Sequence, residues 1–354
     1  MGVFQDIQKN SKPFIIAEIG VNYYDIAQKE GITPLEAAKL MIREAKSSGV
    51  DAVKFQSYKA GKIASKNSPA YWDRKEEPTG SQYELFTKFD HFGADEYREL
   101  ADYCKSAGVL FLSTPFDFEA ADYLDKLMPI YKISSSDITN WPFIKYIAQK
   151  GKPVFLATGA STLAEIEEAV NIILTAGNDQ ICLMHCVLSY PTNYQDANLK
   201  MIQHLTQVFP EYLIGYSDHT RPDESMIVLT TAYQYGAKVI EKHFTLDKTL
   251  KGNDHYHGMD PVDLKRFRQN TDLIYQINGQ YYKKPLECEQ ESRRQARRSI
   301  VAKTDLKKGD VITADKITFK RPGTGISPKD LDKVLGKKLN RDISEDTLLS
   351  WDNF

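Results

Sequence analysis

The run Phe14-Ile15-Ile16-Ala17-Glu18-Ile19-Gly20 is β-branched and apolar apart from one carboxylate, which is typical of a strand buried on both faces. A helical segment follows it, beginning at the capping pair Thr33-Pro34 and ending before Gly49. The same order of apolar run and amphipathic segment repeats along most of the chain. The predicted strands are 14–20, 52–56, 109–113, 130–134, 154–157, 181–185, 213–215 and 239–243, and the predicted helices are 33–48, 95–107, 117–127, 140–150, 162–176, 197–208, 222–235 and 261–280.

Eight strand–helix units are the number found in a (β/α)8 TIM barrel, and we predict this α/β fold. A doubly wound open sheet is the alternative, but its glycine-rich phosphate fingerprint is not present. The segment 57–92 is too long for an ordinary connection between a strand and a helix. Because long loops of this kind lie on the catalytic face of a barrel, it predicts a lid or an oligomer contact, with disorder as the alternative.

The pattern changes after Tyr282. Residues 283–294 are almost entirely polar, and 295–354 contain short apolar runs separated by turns such as Lys307-Lys308-Gly309-Asp310. We therefore expect a catalytic barrel over 1–282, a linker over 283–294 and a small β-rich domain over 295–354. The last domain has 13 basic and 9 acidic residues, which favours docking, including onto another subunit, or else a merely solvated surface.

Composition excludes several classes of protein. Lys and Arg number 46 and Asp and Glu 48, a net charge of −2 that argues against a dedicated nucleic-acid binder. No apolar run approaches the roughly 18 residues that a membrane span needs. The first residues lack the apolar core of a secretory signal, and four cysteines are not a disulfide framework in a chain of this length. We expect a reduced, cytoplasmic protein.

Polar side chains accumulate at the predicted carboxyl ends of the strands, where barrel enzymes place their catalytic groups. Lys54 and Lys132 stand inside apolar runs, where an unpaired ammonium would be costly. They indicate a phosphate or carboxylate held between two cations, or else pairing in the barrel core with Glu18 or Glu241.

Two histidines follow successive strands near the end of the predicted barrel. His219 and His243 are flanked by Asp218 and Glu241, and two imidazoles placed in this way suit a divalent metal with open coordination positions. Such a metal would polarise a carbonyl group. The alternative is that both are core histidines with satisfied hydrogen bonds.

A set of motifs in order resembles the sialic acid synthases, the nonulosonic acid synthases that carry a C-terminal antifreeze-like (SAF) domain. The resemblance implies a TIM barrel followed by a β-clip SAF domain. It also implies an enzyme that condenses phosphoenolpyruvate with an N-acyl hexosamine into a nine-carbon 2-keto sugar acid, with release of phosphate. The motifs are Ile16-Ala17-Glu18-Ile19-Gly20-Val21-Asn22, Val53-Lys54-Phe55-Gln56, Ser113-Thr114-Pro115-Phe116, Tyr190-Pro191-Thr192, Gly215-Tyr216-Ser217-Asp218-His219-Thr220, Glu241-Lys242-His243-Phe244-Thr245 and, for the SAF domain, Lys320-Arg321-Pro322-Gly323-Thr324-Gly325-Ile326-Ser327-Pro328.

The resemblance also implies roles for individual residues. His219 and His243 would be catalytic as ligands of a divalent metal, most often Mn²⁺, with Mg²⁺ or Co²⁺ as alternatives, and Glu18 and Asp137 would handle protons or steady positive charge. Arg321 would reach the sugar's N-acyl group in the partner subunit of a domain-swapped homodimer. The remaining substrate-binding positions are Lys54, Thr114, Lys132, Ser135 and Ser217 for phosphoenolpyruvate, Tyr190 and Asp254 for the sugar, and Glu241 beside them.

The sequence departs from the family in places that bear on the sugar. Asp137 is one methylene shorter than the usual Glu, and the loop Gly252-Asn253-Asp254-His255-Tyr256-His257 is unusual after its Asp. The expected substrate is N-acetylmannosamine or a relative, giving N-acetylneuraminate. The alternatives are a diacetamido-trideoxyhexose giving legionaminate or pseudaminate, a phosphorylated hexosamine giving a 9-phosphate, an aldolase or phosphosugar synthase on the same barrel, and a carbohydrate-binding scaffold without activity.

Overall fold

A computed structural model describes residues 2–72, 74–75, 77–252 and 254–354. The chain divides into two compact units, Met1–Asn278 and Gly279–Phe354. Among the described residues, no helix combines the length and the apolar character that crossing a bilayer requires.

Eight parallel strands build the first unit, and the predicted barrel is confirmed. β1 pairs with β2 on one side and with β8 on the other, and the sheet continues in the order β3-β2-β1-β8-β7-β6-β5-β4. β3 and β4 also lie against each other, which closes the cylinder. The strands are β1 (Phe14–Gly20), β2 (Ala52–Ser57), β3 (Leu110–Pro115), β4 (Tyr131–Ile133), β5 (Val154–Ala157), β6 (Ile181–Cys186), β7 (Leu213–Asp218) and β8 (Val239–His243).

Helices follow the strands around the outside of the barrel. A capping box begins the helix that starts at Pro34, since the Glu36 amide donates to Thr33 Oγ1 and the Thr33 amide donates to Glu36 Oε2. The described helices are α1 (Val3–Lys9), α2 (Tyr23–Glu30), α3 (Pro34–Ser47), α4 (Ala60–Ile63), α5 (Gln82–Lys88), α6 (Ala94–Ala107), α7 (Phe118–Leu124), α8 (Trp141–Ala148), α9 (Leu163–Thr175), α10 (Lys200–Val208), α11 (Ile227–Gln234) and α12 (Pro261–Asn278).

One connection of the first unit differs from the sequence-based expectation, and a second one bears on an alternative that the sequence leaves open. Helix α2 occupies the connection after β1, where the sequence predicts only a loop, and the buried Tyr23 ring stacks on Phe92 at 4.8 Å. The described part of 57–92 contains α4 and α5 and is fixed by Glu77, which argues against disorder. The Glu77 carboxylate accepts hydrogen bonds from the Thr79 amide at 3.0 Å and the Lys88 ammonium at 2.8 Å.

The second unit is small and rich in turns, as predicted. Its strands β9 (Ser299–Ala302) and β10 (Ile317–Lys320) pair in antiparallel register. A separate apolar core, centred on residues such as Ile300, Ile312 and Leu349, lies beneath them. Helices α13 (Gln290–Ala296) and α14 (Leu331–Val334) complete the unit, and α13 is exposed over the end of the predicted linker.

Strand register in the barrel brings the polar residues of neighbouring strands to one end. Glu18 of β1 lies beside Lys54 of β2 and His243 of β8, and Ser217 of β7 lies beside Glu241 of β8. These positions are the carboxyl ends of parallel strands, the end on which barrel active sites are built.

Candidate functional site

An inner cavity opens at the carboxyl end of the barrel, and the first unit supplies its lining. Two short segments add side chains to those of the strands. One is the 3-10 turn Ser135–Asp137 that follows β4, and the other is the connection after β6, which supplies Leu188 and Tyr190. The inner cavity is lined by Glu18, Lys54, Gln56, Thr114, Phe116, Lys132, Ser134, Ser135, Ala157, Cys186, Leu188, Tyr190, Ser217, His219, Glu241 and His243.

Four buried charged side chains line the inner cavity close to one another, and we call Glu18, Lys54, Lys132 and Glu241 the charged quartet. The Lys54 ammonium lies 2.5 Å from Glu18 Oε2 and 3.7 Å from Glu241 Oε1. The Lys132 ammonium lies 3.2 Å from Glu241 Oε1. Both lysines therefore face the cavity and also pair with glutamates, and the binding of a phosphate or carboxylate between them stays a prediction.

Hydroxyl groups surround the charged quartet. Lys54 donates to Thr114 Oγ1 at 3.0 Å, and the Ser217 hydroxyl donates to Glu241 Oε1 at 3.1 Å. Burial raises the pKa of Glu18, and the Lys54 ammonium only partly opposes it. For Glu241, burial acts in the same direction, but the Lys132 and Lys54 ammonium groups outweigh it and lower the pKa of that carboxyl.

Three imidazoles and one carboxylate lie close together, and we call His219, His243, His257 and Asp254 the histidine cluster. Ring centroids are 5.5 Å apart for His219 and His243 and 4.7 Å apart for His243 and His257. Asp254 Oδ2 lies 3.6 Å from His243 Nδ1, and Asp254 Oδ1 lies 3.8 Å from His257 Nε2. His243, Asp254 and His257 each offer one atom that could bind a metal, and these three atoms lie within 4.8 Å of one another.

The protonation and hydrogen bonds of the histidine cluster fit a bound divalent cation. Burial lowers the pKa of His219 to about 4 and holds the pKa values of His243 and His257 well below the usual range, so the imidazoles are neutral, the form that ligates metals. The His219 Nδ1 lies 2.8 Å from the Val187 carbonyl, and a proton there leaves the lone pair on Nε2. Burial, aided by Glu18 and Asp25, raises the pKa of Asp254 to about 7.

A buried ion pair fixes the two strand ends that carry His219 and His243. Lys242 of β8 contacts the Asp218 carboxylate of β7 and donates to the Thr220 carbonyl at 2.6 Å. The same carboxylate accepts from the Thr220 amide at 3.0 Å. Because Asp218 and Thr220 flank His219 and Lys242 precedes His243, this pair sets the spacing of the two imidazoles.

An outer cavity of about 480 Å³ adjoins the inner one and shares Gln56, Tyr190 and His243 with it. Much of its wall is apolar or aromatic and comes from 57–92. Lys62 is the one ammonium among the described lining residues, and it is paired with Glu119 and lies 3.8 Å from Asp117. The aromatic and apolar lining residues are Val21, Tyr58, Ile63, Tyr71, Leu85, Phe86, Phe89, Phe116, Leu188 and Tyr190.

Most of the residues predicted from the sequence gather at these two cavities. The remaining acid, Asp137, lines the outer cavity, accepts from Asn140 Nδ2 at 3.0 Å and has its pKa raised by burial. Asp254 lines the same cavity. Arg321 is exposed in the second unit after β10, and its role at a partner subunit stays a prediction.

Sequence reasoning missed His257 and the aromatic wall of the outer cavity. His257 stands three residues after Asp254 in a loop that the sequence analysis marked as unusual, which is the signal that was available. Its neighbour His255 is also fully buried, but its ring contacts Thr245 Oγ1 at 2.7 Å and Asp25 Oδ2 at 3.1 Å and so has a structural explanation.

Comparison with known proteins agrees with this geometry. The NeuB family model matches residues 41–283, and the SAF domain model matches 297–354. The chain is 39% identical over 343 residues to the N,N'-diacetyllegionaminic acid synthase of Campylobacter jejuni, covering 96% of this chain and 99% of that one. The synthase of the same name from Legionella pneumophila is 38% identical over 347 residues, covering 96% and 94%. The solved N-acetylneuraminic acid synthetase of Leptospira borgpetersenii superposes with a TM-score of 0.68 at 34% identity, covering 80% of this chain and 91% of that one.

Proposed function

The chain belongs to the NeuB family, and from that premise we propose that it condenses phosphoenolpyruvate with an unphosphorylated N-acyl hexosamine to give a nine-carbon 2-keto sugar acid and phosphate. The observation that carries the proposal is the placement of two cavity-facing ammonium groups, Lys54 and Lys132, beside a cluster of neutral imidazoles. This site opens into a second cavity large enough for a sugar.

Phosphoenolpyruvate fits the inner cavity by charge and by hydrogen bonding. Lys54 and Lys132 offer ammonium groups to the phosphate and carboxylate, and Thr114, Ser135 and Ser217 offer hydroxyl groups at the same cavity. Charge-assisted hydrogen bonds of this kind are the strong ones in proteins. The buried surroundings strengthen them further, because few waters compete.

The chain's own residues then account for the reaction in order. A divalent ion bound by the histidine cluster would act as a Lewis acid toward the sugar aldehyde. Carbon 3 of phosphoenolpyruvate forms the new bond to the aldehyde carbon, the aldehyde oxygen takes up a proton, and water adds at carbon 2 before phosphate leaves. We assign proton handling and stabilisation of the positive charge at carbon 2 to Glu18 in the inner cavity and Asp137 in the outer one.

The outer cavity supports an unphosphorylated sugar with apolar substituents. A phosphate group on the sugar would need cations, and Lys62, the one ammonium described there, already faces Glu119 and Asp117. The aromatic wall suits acetamido methyl groups and a deoxy carbon. We therefore propose a diacetamido-trideoxyhexose, the precursor class of legionaminate, as the substrate in preference to N-acetylmannosamine. Two relatives, 39% and 38% identical to this chain, carry the name N,N'-diacetyllegionaminic acid synthase, which agrees with this choice.

A substrate panel tests the proposal. Purified protein with Mn²⁺ and phosphoenolpyruvate is offered N-acetylmannosamine, its phosphorylated form, a diacetamido-trideoxyhexose and a simple aldose phosphate, with phosphate release and product mass as readouts. We expect the highest kcat/KM with the diacetamido sugar. If no sugar in the panel leads to release of phosphate, the proposed synthase activity is rejected. A requirement for a phosphorylated aldose would favour a phosphosugar synthase on the same barrel.

A further inference from the structure

One residue of the histidine cluster lacks any partner that would explain its burial. His257 is 0% exposed, and neither of its ring nitrogens has a hydrogen-bond partner among the described residues. Its nearest polar neighbour is Asp254 Oδ1 at 3.8 Å from Nε2, which is too far for a hydrogen bond. Buried polar groups are almost always paired, so each exception calls for an explanation such as an unseen ion.

A second orphaned atom lies beside it. His243 Nδ1 is also buried without a hydrogen-bond partner, although Asp254 Oδ2 lies 3.6 Å away. A buried imidazole nitrogen without a partner has lost its hydrogen bond to water and gained none in return, which destabilises the folded state. Such atoms on two neighbouring rings, whose centroids are 4.7 Å apart at an interplanar angle of 68°, indicate that one ligand satisfies both rings.

The arrangement suits a cation better than a sugar hydroxyl. Ligand atoms held about 2.1 Å from one ion lie about 3 to 4 Å apart, and the atoms of His243, Asp254 and His257 already lie within 4.8 Å of one another. A neutral imidazole carries one lone pair, and two imidazoles with a carboxylate form a donor set that first-row divalent metals prefer. A sugar hydroxyl would have to serve three converging groups through one oxygen.

We propose that His257 is a third imidazole ligand of the divalent metal, so that the loop after β8 and the ends of β7 and β8 hold the ion together. Asp254, on the same loop, lies within reach of both His243 and His257 and is placed to ligate the ion or to orient a water on it. This inference rests on the proposed function only for the reaction that the metal serves, because metal binding is measured without either substrate.

The test compares Mn²⁺ binding by the full-length wild type and variants through equilibrium dialysis with metal analysis. We expect the dissociation constant to rise by at least about tenfold in His257→Phe, which keeps a ring in the pocket but cannot ligate, and in His257→Gln, which lacks an imidazole nitrogen. His255→Gln is the matched control on the same loop, because the His255 ring already has partners in Thr245 and Asp25, and we expect its dissociation constant to change far less than those of the two His257 variants. Pulsed electron paramagnetic resonance of bound Mn²⁺ should detect nitrogen from three imidazoles in the wild type and from two in His257→Phe.

Stability without metal gives a readout that a purely structural role would move in the opposite direction. Because His257→Phe removes an unpaired buried polar group, the metal-free variant should unfold at the same temperature as the wild type or higher, while stabilisation by added Mn²⁺ is reduced. An unchanged imidazole count, or an equal loss of affinity in His255→Gln, would overturn the inference. If His257→Phe loses Mn²⁺ affinity and no sugar in the substrate panel leads to release of phosphate, the proposed reaction is refuted, while His257 is still supported as a metal ligand.

Discussion

Replacing Lys132 with methionine removes one ammonium from the charged quartet while keeping much of the apolar volume of the side chain. Lys132 Nζ lies 3.2 Å from Glu241 Oε1, and the two side chains are 6% and 5% exposed. At an effective dielectric constant of about 20, two unit charges at this distance attract by about 5 kcal/mol. Glu241 keeps Lys54 at 3.7 Å and the Ser217 hydroxyl at 3.1 Å. We therefore expect the free energy of unfolding to fall by about 3 kcal/mol, the lower end of the range for a broken buried pair.

The same substitution should weaken phosphoenolpyruvate binding by about 30-fold, which corresponds to about 2 kcal/mol for a lost charge partner. Adding Glu241→Gln to Lys132→Met removes the buried carboxylate that has lost its nearest ammonium partner, so the double variant should recover most of the stability. It should not recover the affinity, because the ammonium is still missing. Urea unfolding followed by circular dichroism measures the first quantity, and calorimetric titration with phosphoenolpyruvate measures the second.

Lys39→Met is the matched control for removal of a paired lysine. Lys39 contacts Glu99 at 2.5 Å, but these side chains are 28% and 53% exposed, so the loss should stay below about 1 kcal/mol and the affinity should not change. If Lys132→Met loses stability while its dissociation constant for phosphoenolpyruvate equals that of the wild type, the lysines serve only to pair charges in the core and the anion site is refuted.

Removing the metal with a chelator should abolish phosphate release, and added Mn²⁺ should restore it; full activity after chelation would contradict a metal role. Asp218→Asn should lower the free energy of unfolding by about 3 to 5 kcal/mol, because it leaves the Lys242 ammonium buried without its carboxylate, and a double variant with Lys242→Met should recover much of the loss in urea unfolding. Glu77→Gln should raise the KM for the sugar more than the KM for phosphoenolpyruvate, and equal changes in both would contradict this. It should also expose Trp72, whose indole donates to the main-chain carbonyl of Glu77, to quenching by acrylamide. Burial raises the pKa of Glu77, but the Lys88 ammonium and the neighbouring amide outweigh it and lower the pKa, so the contribution of this carboxylate to loop stability is complete above an unfolded-state pKa of about 4.3 and Trp72 should become accessible only as the pH falls below that value.

The site residues on strands were predictable because a strand buried on both faces has a continuous apolar sequence, in which a charged residue stands out. Lys54 and Lys132 interrupt apolar runs, and a charge in such a run must face a cavity or a partner. The sequence leaves both interpretations open, a bound anion or a paired glutamate, because it indicates which way a side chain points but no distance. Only the fold shows Glu241 within 3.2 Å of Lys132 and both at the edge of the same cavity.

The residues on connections were not predictable by the same reasoning. His257 has no periodic pattern around it, and its position depends on how the loop after β8 folds back, where the Met259 amide donates to the His243 carbonyl at 2.7 Å. Helix α2 itself was missed, although Asn22, a residue type that often caps helices, stands directly before it. The Asn22 side chain donates to the Phe244 carbonyl instead of capping the helix, and the Tyr23 and Tyr24 rings pack against Phe92, which lies far away in the sequence. Tertiary contacts therefore fix these segments more than local propensity does.

This division between strands and connections also explains what resemblance to a family can and cannot convey here. The groups that we assign to phosphoenolpyruvate and to the new bond stand at strand ends, where the closed barrel fixes their spacing. The wall that meets the sugar comes largely from 57–92, whose shape depends on contacts such as those of Glu77. A loop of this kind can change its side chains without disturbing the barrel. It follows that the motifs at strand ends identify the reaction, whereas the choice of sugar must be read from the outer cavity.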